Sequence, residues 1–126
     1  MKKFVIGITV LSLLLIAGLL VAKSTEEMYK PIISLLDDAA NTALTGDFED
    51  AKQQAQNAKH LWDQRKNATA TVADHTPMEE IDHLFAEAEI YARTEEVPHF
   101  AACCAQLAAM VQAMGDAHAL NLWNLL

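Results

Sequence analysis

The chain has few of the residues that build loops. Of its 126 residues, only four are glycine and three are proline. Glycine-rich phosphate-binding loops cannot be formed from so few glycines. The sequence also lacks the Gly-x-Ser-x-Gly motif of hydrolases and the His-Glu-x-x-His motif of zinc proteases. We therefore expect neither an enzyme nor a protein with a bound cofactor.

Cysteine is scarce as well, and the two cysteines, Cys103 and Cys104, are adjacent. Neighbouring residues on a helix point about 100° apart, so an unstrained disulfide between them is not expected. Cys104 falls on the apolar face of its helix and is interpreted as a small core residue. Cys103 lies at the edge of that face and would cross-link to another chain if it were exposed. His99 is the only base nearby and no orienting group accompanies it, so the pattern does not indicate a catalytic thiol.

Positive charge is also in short supply. Nine Lys and Arg residues stand against seventeen Asp and Glu residues, which gives a formal net charge of −8. Such a surface repels phosphate groups, and this argues against nucleic acid as a partner. No run of acidic residues is longer than two, so the charge is spread over solvated helix faces and does not form an acidic tail.

What the sequence does contain is a run of nineteen uncharged residues that ends at Ala22 and follows Lys2 and Lys3. A helix of this length spans roughly 28 Å, close to the hydrocarbon thickness of a bilayer. The basic residues before the run predict a cytoplasmic N-terminus. We predict an uncleaved signal-anchor over residues 1–22, and the alternative is a secretory signal that is cleaved next to Ala22. Both interpretations export residues 23–126.

The exported part is predicted to be an acidic four-helix bundle with an apolar C-terminal tail. Breaks at Gly46, at Thr76-Pro77 and at Val97-Pro98 separate the helices, and Gly115 is expected to end the last one. The fold class is thus all-α, with an N-terminal transmembrane helix followed by an antiparallel, left-handed, coiled-coil-like bundle. Helical spacing predicts that the following residues share one face of each helix: Ile32, Leu35, Leu36, Ala39, Ala43 and Leu44; Phe48, Ala51, Ala55, Ala58, Trp62, Arg65 and Thr69; Ile81, Leu84, Phe85, Ala88, Ala92 and Glu95; Phe100, Cys104, Leu107, Val111 and Met114.

The tail, residues 119–126, is too apolar to be left in water. Three interpretations are open: a cap over the end of the bundle, insertion of Trp123 into the membrane interface, or docking onto a partner chain. For the last of these, Trp123, Leu125 and Leu126 are the candidate interaction residues.

The five histidines raise the question of a metal site. His75, Glu79 and His83 follow one another at intervals of one helical turn, so they are candidate zinc ligands at a helix start. The ordinary alternative is a helix N-terminus stabilised by its acidic residues, with solvated imidazoles. Two Glu-x-x-His matches also occur, at Glu80 and Glu96. The first points away from the apolar face and the second straddles a proline, so a di-metal centre in the bundle core is not predicted.

The layout of the chain, with its Lys-Lys start, single anchor, Trp62, Asp74-His75, Ile81-Asp82 and the terminal Asn124-Leu125-Leu126, resembles a bacterial family. The members of that family are short, single-anchor membrane proteins described only as a domain of unknown function. The resemblance implies an envelope location and transfers no catalytic residues. We predict a structural or protein-interaction module outside the membrane, with another envelope protein as its partner. The alternative is a module that binds a metal or small ligand through His75, Glu79 and His83.

Overall fold

The computed structural model describes residues 1–69 and 75–125, and within them it describes the side chains outside 21–26, 68–76 and 118–125. The described part of the chain is all-helical. It contains four helices: α1 (Lys2–Leu44), α2 (Phe48–Thr69), α3 (His75–Arg93) and α4 (Val97–Leu125). The all-α prediction is confirmed, while the predicted handedness of the packing stays a prediction.

The apolar N-terminal run and the first helix of the packed region are one helix of 43 residues. The sequence left open whether the membrane helix runs straight into the first helix of the bundle, and the backbone passes through residue 22 without a break. Pro31 lies inside the helix, where its ring removes one backbone hydrogen bond. Pro31 is exposed, so the carbonyl that loses its partner faces solvent and not the core.

Within the described residues, two helices are long and apolar enough to cross a membrane, and they differ in burial. The segment Lys2–Leu20 has a mean hydropathy of 2.4 and is 0% buried. The segment Val97–Ala117 has a mean hydropathy of 1.3 and is 44% buried, as expected for a core helix. The exposed N-terminal segment has the composition of either a membrane anchor or a signal sequence.

The helices pack around α4 and the second half of α1. α1 packs most extensively against α4 and also packs along α2, while α3 packs against α4. α1 and α4 run antiparallel, because Phe100 clusters with Ala40 near one end and Gly115 meets Tyr29 at the other. α2 and α3 contact each other only sparingly. The closed four-helix bundle that we predicted is therefore not confirmed, since one of its four sides is open.

The predicted core faces are confirmed in most positions. Trp62, Ile81, Leu107 and Val111 are among the side chains that are fully buried. Burying an apolar side chain of this size contributes about 1.5–3 kcal/mol, so these faces hold the helices together. Leu44 is a wrong prediction: its side chain is 66% exposed, because it lies in the last turn of α1 where the chain leaves the core.

Gly115 does not end the last helix, and this prediction was wrong. α4 continues to Leu125, and Gly115 is buried within it. A Cβ atom at this position would lie 3.3 Å from Cδ2 of Tyr29. The glycine is thus explained by the close approach of the Tyr29 ring and not by a helix end.

Two helix ends share the same hydrogen-bonding pattern. After α1, the amide of Asp47 donates to the carbonyl of Thr42, and Gly46 adopts a positive φ of 101°. After α3, the amide of Glu96 donates to the carbonyl of Tyr91, and Glu95 takes the positive φ of 57°. Glu95 was predicted to extend the apolar face of α3, and it forms the turn instead.

Candidate functional site

A polar cluster around Asp82 joins α2 and α3. Nε1 of the fully buried Trp62 donates a hydrogen bond of 2.8 Å to Oδ1 of Asp82. Nζ of Lys66 lies 3.1 Å from Oδ2 of the same carboxylate. The cluster gives the buried indole N–H its acceptor and links the C-terminal half of α2 to the first half of α3.

Beyond this cluster the two helices leave a half-open cleft with a volume of about 570 Å³. This volume lies within the range of about 300–1,000 Å³ that is typical of ligand sites. The cleft has a narrow apolar floor and charged walls. Its lining residues are Ala55, Phe85, Ala88, Ala92 and Phe100, and Lys52, Gln56, Lys59, His60, Asp63, Glu89 and Arg93.

The charge of the cleft differs in sign from that of the chain. Three cations (Lys52, Lys59 and Arg93) and two acids (Asp63 and Glu89) line it, so three minus two gives a formal charge of +1, against −8 for the whole chain. Nζ of Lys59 lies 3.4 Å from Asp63, and Nη2 of Arg93 lies 2.7 Å from Glu89. Each pair joins neighbouring turns of one helix and is solvated, so it contributes only about 0.3–0.5 kcal/mol.

Neither cysteine is exposed. The side chains of Cys103 and Cys104 are 5% and 0% exposed, and Sγ of Cys103 lies 3.2 Å from the carbonyl oxygen of Leu84. Burial raises the pKa of Cys103 to about 11, with a further contribution from Glu87. Burial also raises the pKa of Cys104 to about 12. Cys104 is confirmed as a core residue, and the exposed position that cross-linking through Cys103 required is not found.

The family model for the domain of unknown function DUF4363 matches residues 19–125. The chain belongs to this family. Two of the positions that carried the resemblance in sequence, Trp62 and Asp82, are hydrogen-bonded to each other in the structure. No curated protein and no solved structure shows a significant match.

The predicted metal ligands of this DUF4363 protein are only partly within the described side chains. Glu79 and His83 are exposed on α3, while the side chain of His75 lies outside the described residues. Nε2 of His83 lies 3.4 Å from Glu87, one turn further along the helix. Among the side chains that the structure describes, no three metal-binding groups come together. The triad with His75 stays a prediction.

The predicted interaction residues lie at the end of the DUF4363 chain. The backbone of Trp123 and Leu125 belongs to α4, but their side chains are outside the described set, and Leu126 is outside the described residues altogether. The three interpretations of the tail stay predictions. Its backbone up to Leu125 is a continuation of the core helix, which the sequence analysis did not anticipate.

Neither the hydrogen bond of Asp82 nor the cleft of this DUF4363 protein was predicted from the sequence. Asp82 was noted only as a point of resemblance, because twenty residues separate it from Trp62 and helical periodicity says nothing about register between helices. A usable signal was present, however. A tryptophan on a buried face needs an acceptor for its N–H group, and Asp82 stands next to the core residue Ile81 on the helix that follows.

Proposed function

We propose that this DUF4363 protein is a single-pass protein of the cell membrane whose helical domain lies outside and binds another protein of the envelope. The observation that carries the proposal is the segment Lys2–Leu20, which is apolar and 0% buried. Its large side chains are exposed, including Leu14 at 54% and Leu20 at 63%. An exposed apolar surface of this length is stable in a bilayer and not in water.

The direction of insertion follows from charge. Lys2 and Lys3 precede the apolar segment, and the described part of the chain that follows is rich in acidic residues. Basic residues are retained on the cytoplasmic side, so the N-terminus is cytoplasmic and the packed helices are outside.

Binding is a better-supported role for the packed region than catalysis. Its two thiols are buried and their pKa values are raised to about 11 and about 12, so neither is a nucleophile near neutral pH. The packed region nevertheless leaves one side open, between α2 and α3. A domain that is held at a membrane and has an unfilled side is suited to holding a second protein near that membrane.

The location is tested by labelling a cysteine introduced at an exposed position. Asn57 is exposed on α2, whereas the two native thiols are buried and serve as the unreactive background. In intact spheroplasts, we expect N57C to react with a membrane-impermeant maleimide while the parent protein does not. Reaction only after lysis would place the domain in the cytoplasm and refute the proposal.

The same sample distinguishes an anchor from a cleaved signal. The intact mass of the membrane-bound protein should include residues 1–22. A shorter, soluble product that begins near Lys23 would show that the N-terminal segment is a signal sequence, and the anchoring part of the proposal would then be wrong.

The tail is tested separately. If Trp123, Leu125 and Leu126 bind the partner, the substitution W123A should release a protein that purifies in stoichiometric amount with the parent chain in mild detergent. The matched control is L44A, which removes an apolar side chain that is 66% exposed on α1, outside the tail. Retention of the same partner by W123A would exclude this role for Trp123.

A further inference from the structure

The open side between α2 and α3 has a shape that suits one kind of occupant. On α2 the lining runs from Lys52 to Asp63, about 16 Å along the helix, and on α3 it runs from Phe85 to Arg93, about 12 Å. An amphipathic helix places apolar side chains at positions i, i+3 or i+4, and i+7, over about 10 Å of its length. The cleft is therefore long enough for one such apolar stripe.

The floor of the cleft favours close approach. Ala55 and Ala88 are buried, Ala92 is half-buried, and all three are small. Because small residues of both α2 and α3 form the floor, there is room for the larger side chains of a third helix. Phe100 forms one end of the floor, and its ring packs edge-on against Phe48 with a distance of 5.2 Å between centroids.

The walls determine the charge of the occupant. Lys52 and Lys59 line the α2 wall together with His60, and three cations stand against two acids in the lining of the cleft. Nζ of Lys52 forms an ion pair with Glu49, one turn earlier on α2. The side chain of Lys59 is 48% exposed and forms an ion pair with Asp63 on its own helix. Because such a solvated pair contributes little, Lys59 can turn towards an acidic residue of a partner at small cost.

The position of the cleft argues against a lipid of the bilayer. α1 extends about 36 Å from Leu20 to Leu44, and α2 then returns along it. On α2, Asp63 is the lining residue nearest to the apolar segment, and it lies about 22 Å from the start of that helix. The whole cleft is therefore roughly 13 Å or more beyond the end of the apolar segment. A bilayer lipid does not reach it, whereas a segment of another protein does.

We propose that the cleft between α2 and α3 binds an amphipathic helix of a partner protein. The apolar face of that helix lies on Ala55, Ala88 and Ala92, and its acidic residues meet Lys52 and Lys59. The inference rests on the proposed function, since it names the surface by which the domain binds its partner and the chemistry that the partner must have.

The test is photo-cross-linking in cells of the source organism, with the full-length chain. p-Benzoylphenylalanine replaces Gln56, which is exposed and lines the cleft, or Asn57, which is exposed on the same helix and does not. Mass spectrometry identifies the cross-linked segment. We expect an adduct from position 56 only, on a segment with apolar residues at i, i+3 or i+4, and i+7 and with acidic residues on one flank.

Substitutions in the cleft give the second arm of the test. K59E should lower the yield of the adduct about threefold to tenfold, because a weak, solvated attraction becomes a repulsion of similar size. K30E makes the same charge change at an exposed site of α1 outside the cleft and should have no effect. A92L fills the floor and should abolish the adduct, whereas A102L, at an exposed position of α4, should not.

Each other outcome refutes the inference. An adduct to lipid, to a basic segment or to a second copy of this chain would assign a different occupant. Equal adducts from positions 56 and 57, or none, would show that the cleft is not a binding surface. Correct fold of each variant is checked by the protection of Cys103 and Cys104 from alkylation. Labelling of N57C from outside with no adduct at position 56 would refute the cleft and leave the proposed location intact.

Discussion

Substitution of Asp82 tests how strongly the polar cluster between α2 and α3 stabilises the protein. It accepts the hydrogen bond of a tryptophan that is 0% exposed, so removing it leaves the indole N–H buried without an acceptor. An unsatisfied buried group costs about 1–3 kcal/mol, and the solvated pair with Lys66 adds about 0.2–1 kcal/mol. D82A should therefore lower the free energy of unfolding by about 1–4 kcal/mol. A loss of 2 kcal/mol is about a 30-fold change in the ratio of folded to unfolded protein.

D82N is the matched variant. Its amide oxygen still accepts from Trp62, while the charge that attracts Lys66 is lost, so we expect a loss of only about 0.5–1 kcal/mol. Alkylation of Cys103 and Cys104 as a function of urea concentration measures both variants in the membrane, because the thiols react only when α4 separates from its neighbours. If D82N and D82A destabilise the protein equally, the hydrogen bond to Trp62 is not the main contribution of Asp82, and the reasoning is wrong.

Three further predictions concern Gly115, the Glu95 turn and the buried thiols. G115V should lower the free energy of unfolding by about 1–3 kcal/mol in urea titration, because its side chain meets the Tyr29 ring at a position where a Cβ alone would lie 3.3 Å away. E95G should raise it by up to about 1 kcal/mol in the same titration, because glycine adopts the φ of 57° without the steric cost. Stability should also fall as pH rises above 9.0, the usual pKa of the thiols, towards the raised values of about 11 for Cys103 and about 12 for Cys104, because the unfolded chain ionises first. When both cysteines are replaced by alanine, the free energy of unfolding, measured as a function of pH, should decline less steeply over this range.

Each of these predictions has its own control. G115A adds one carbon at the contact and also gains helix propensity, so its effect should be smaller than that of G115V. The control for E95G is E96G, at the next residue in the turn, whose φ is not positive, so that glycine should not stabilise there. An alkaline decline that is unchanged in the double cysteine variant would show that lysine and tyrosine side chains, and not the thiols, control that range.

Most of the helical faces followed from periodicity, because a helix buries one side whatever its neighbours are. Ala51, Ala58 and Trp62 were placed correctly for this reason. The sequence pattern gave a wrong prediction where one residue type can serve two structural roles. Glycine both ends helices and permits close contacts, and at Gly115 the contact with Tyr29 determines the conformation.

The candidate site depends on how helices are placed against one another, which no single helix determines. The cleft exists because α2 and α3 contact each other sparingly although they follow one another in the chain. Likewise, the burial of Cys103 depends on α3, whose Leu84 carbonyl covers the thiol. Such facts require the register between helices, and the pattern within one helix contains no information about it.

The uninterrupted helix α1 connects the apolar segment to the packed domain without a linker. Between Leu20 and Tyr29 there is no turn or linker in which a rotation is lost. Adding one residue there turns everything beyond it by about 100° and moves it about 1.5 Å along the axis. In the proposed arrangement, the rotation of the apolar segment about its own axis in the bilayer determines the direction in the membrane plane towards which the cleft opens. The rotational position of the cleft about the axis of α1 thus determines which neighbouring envelope proteins face it.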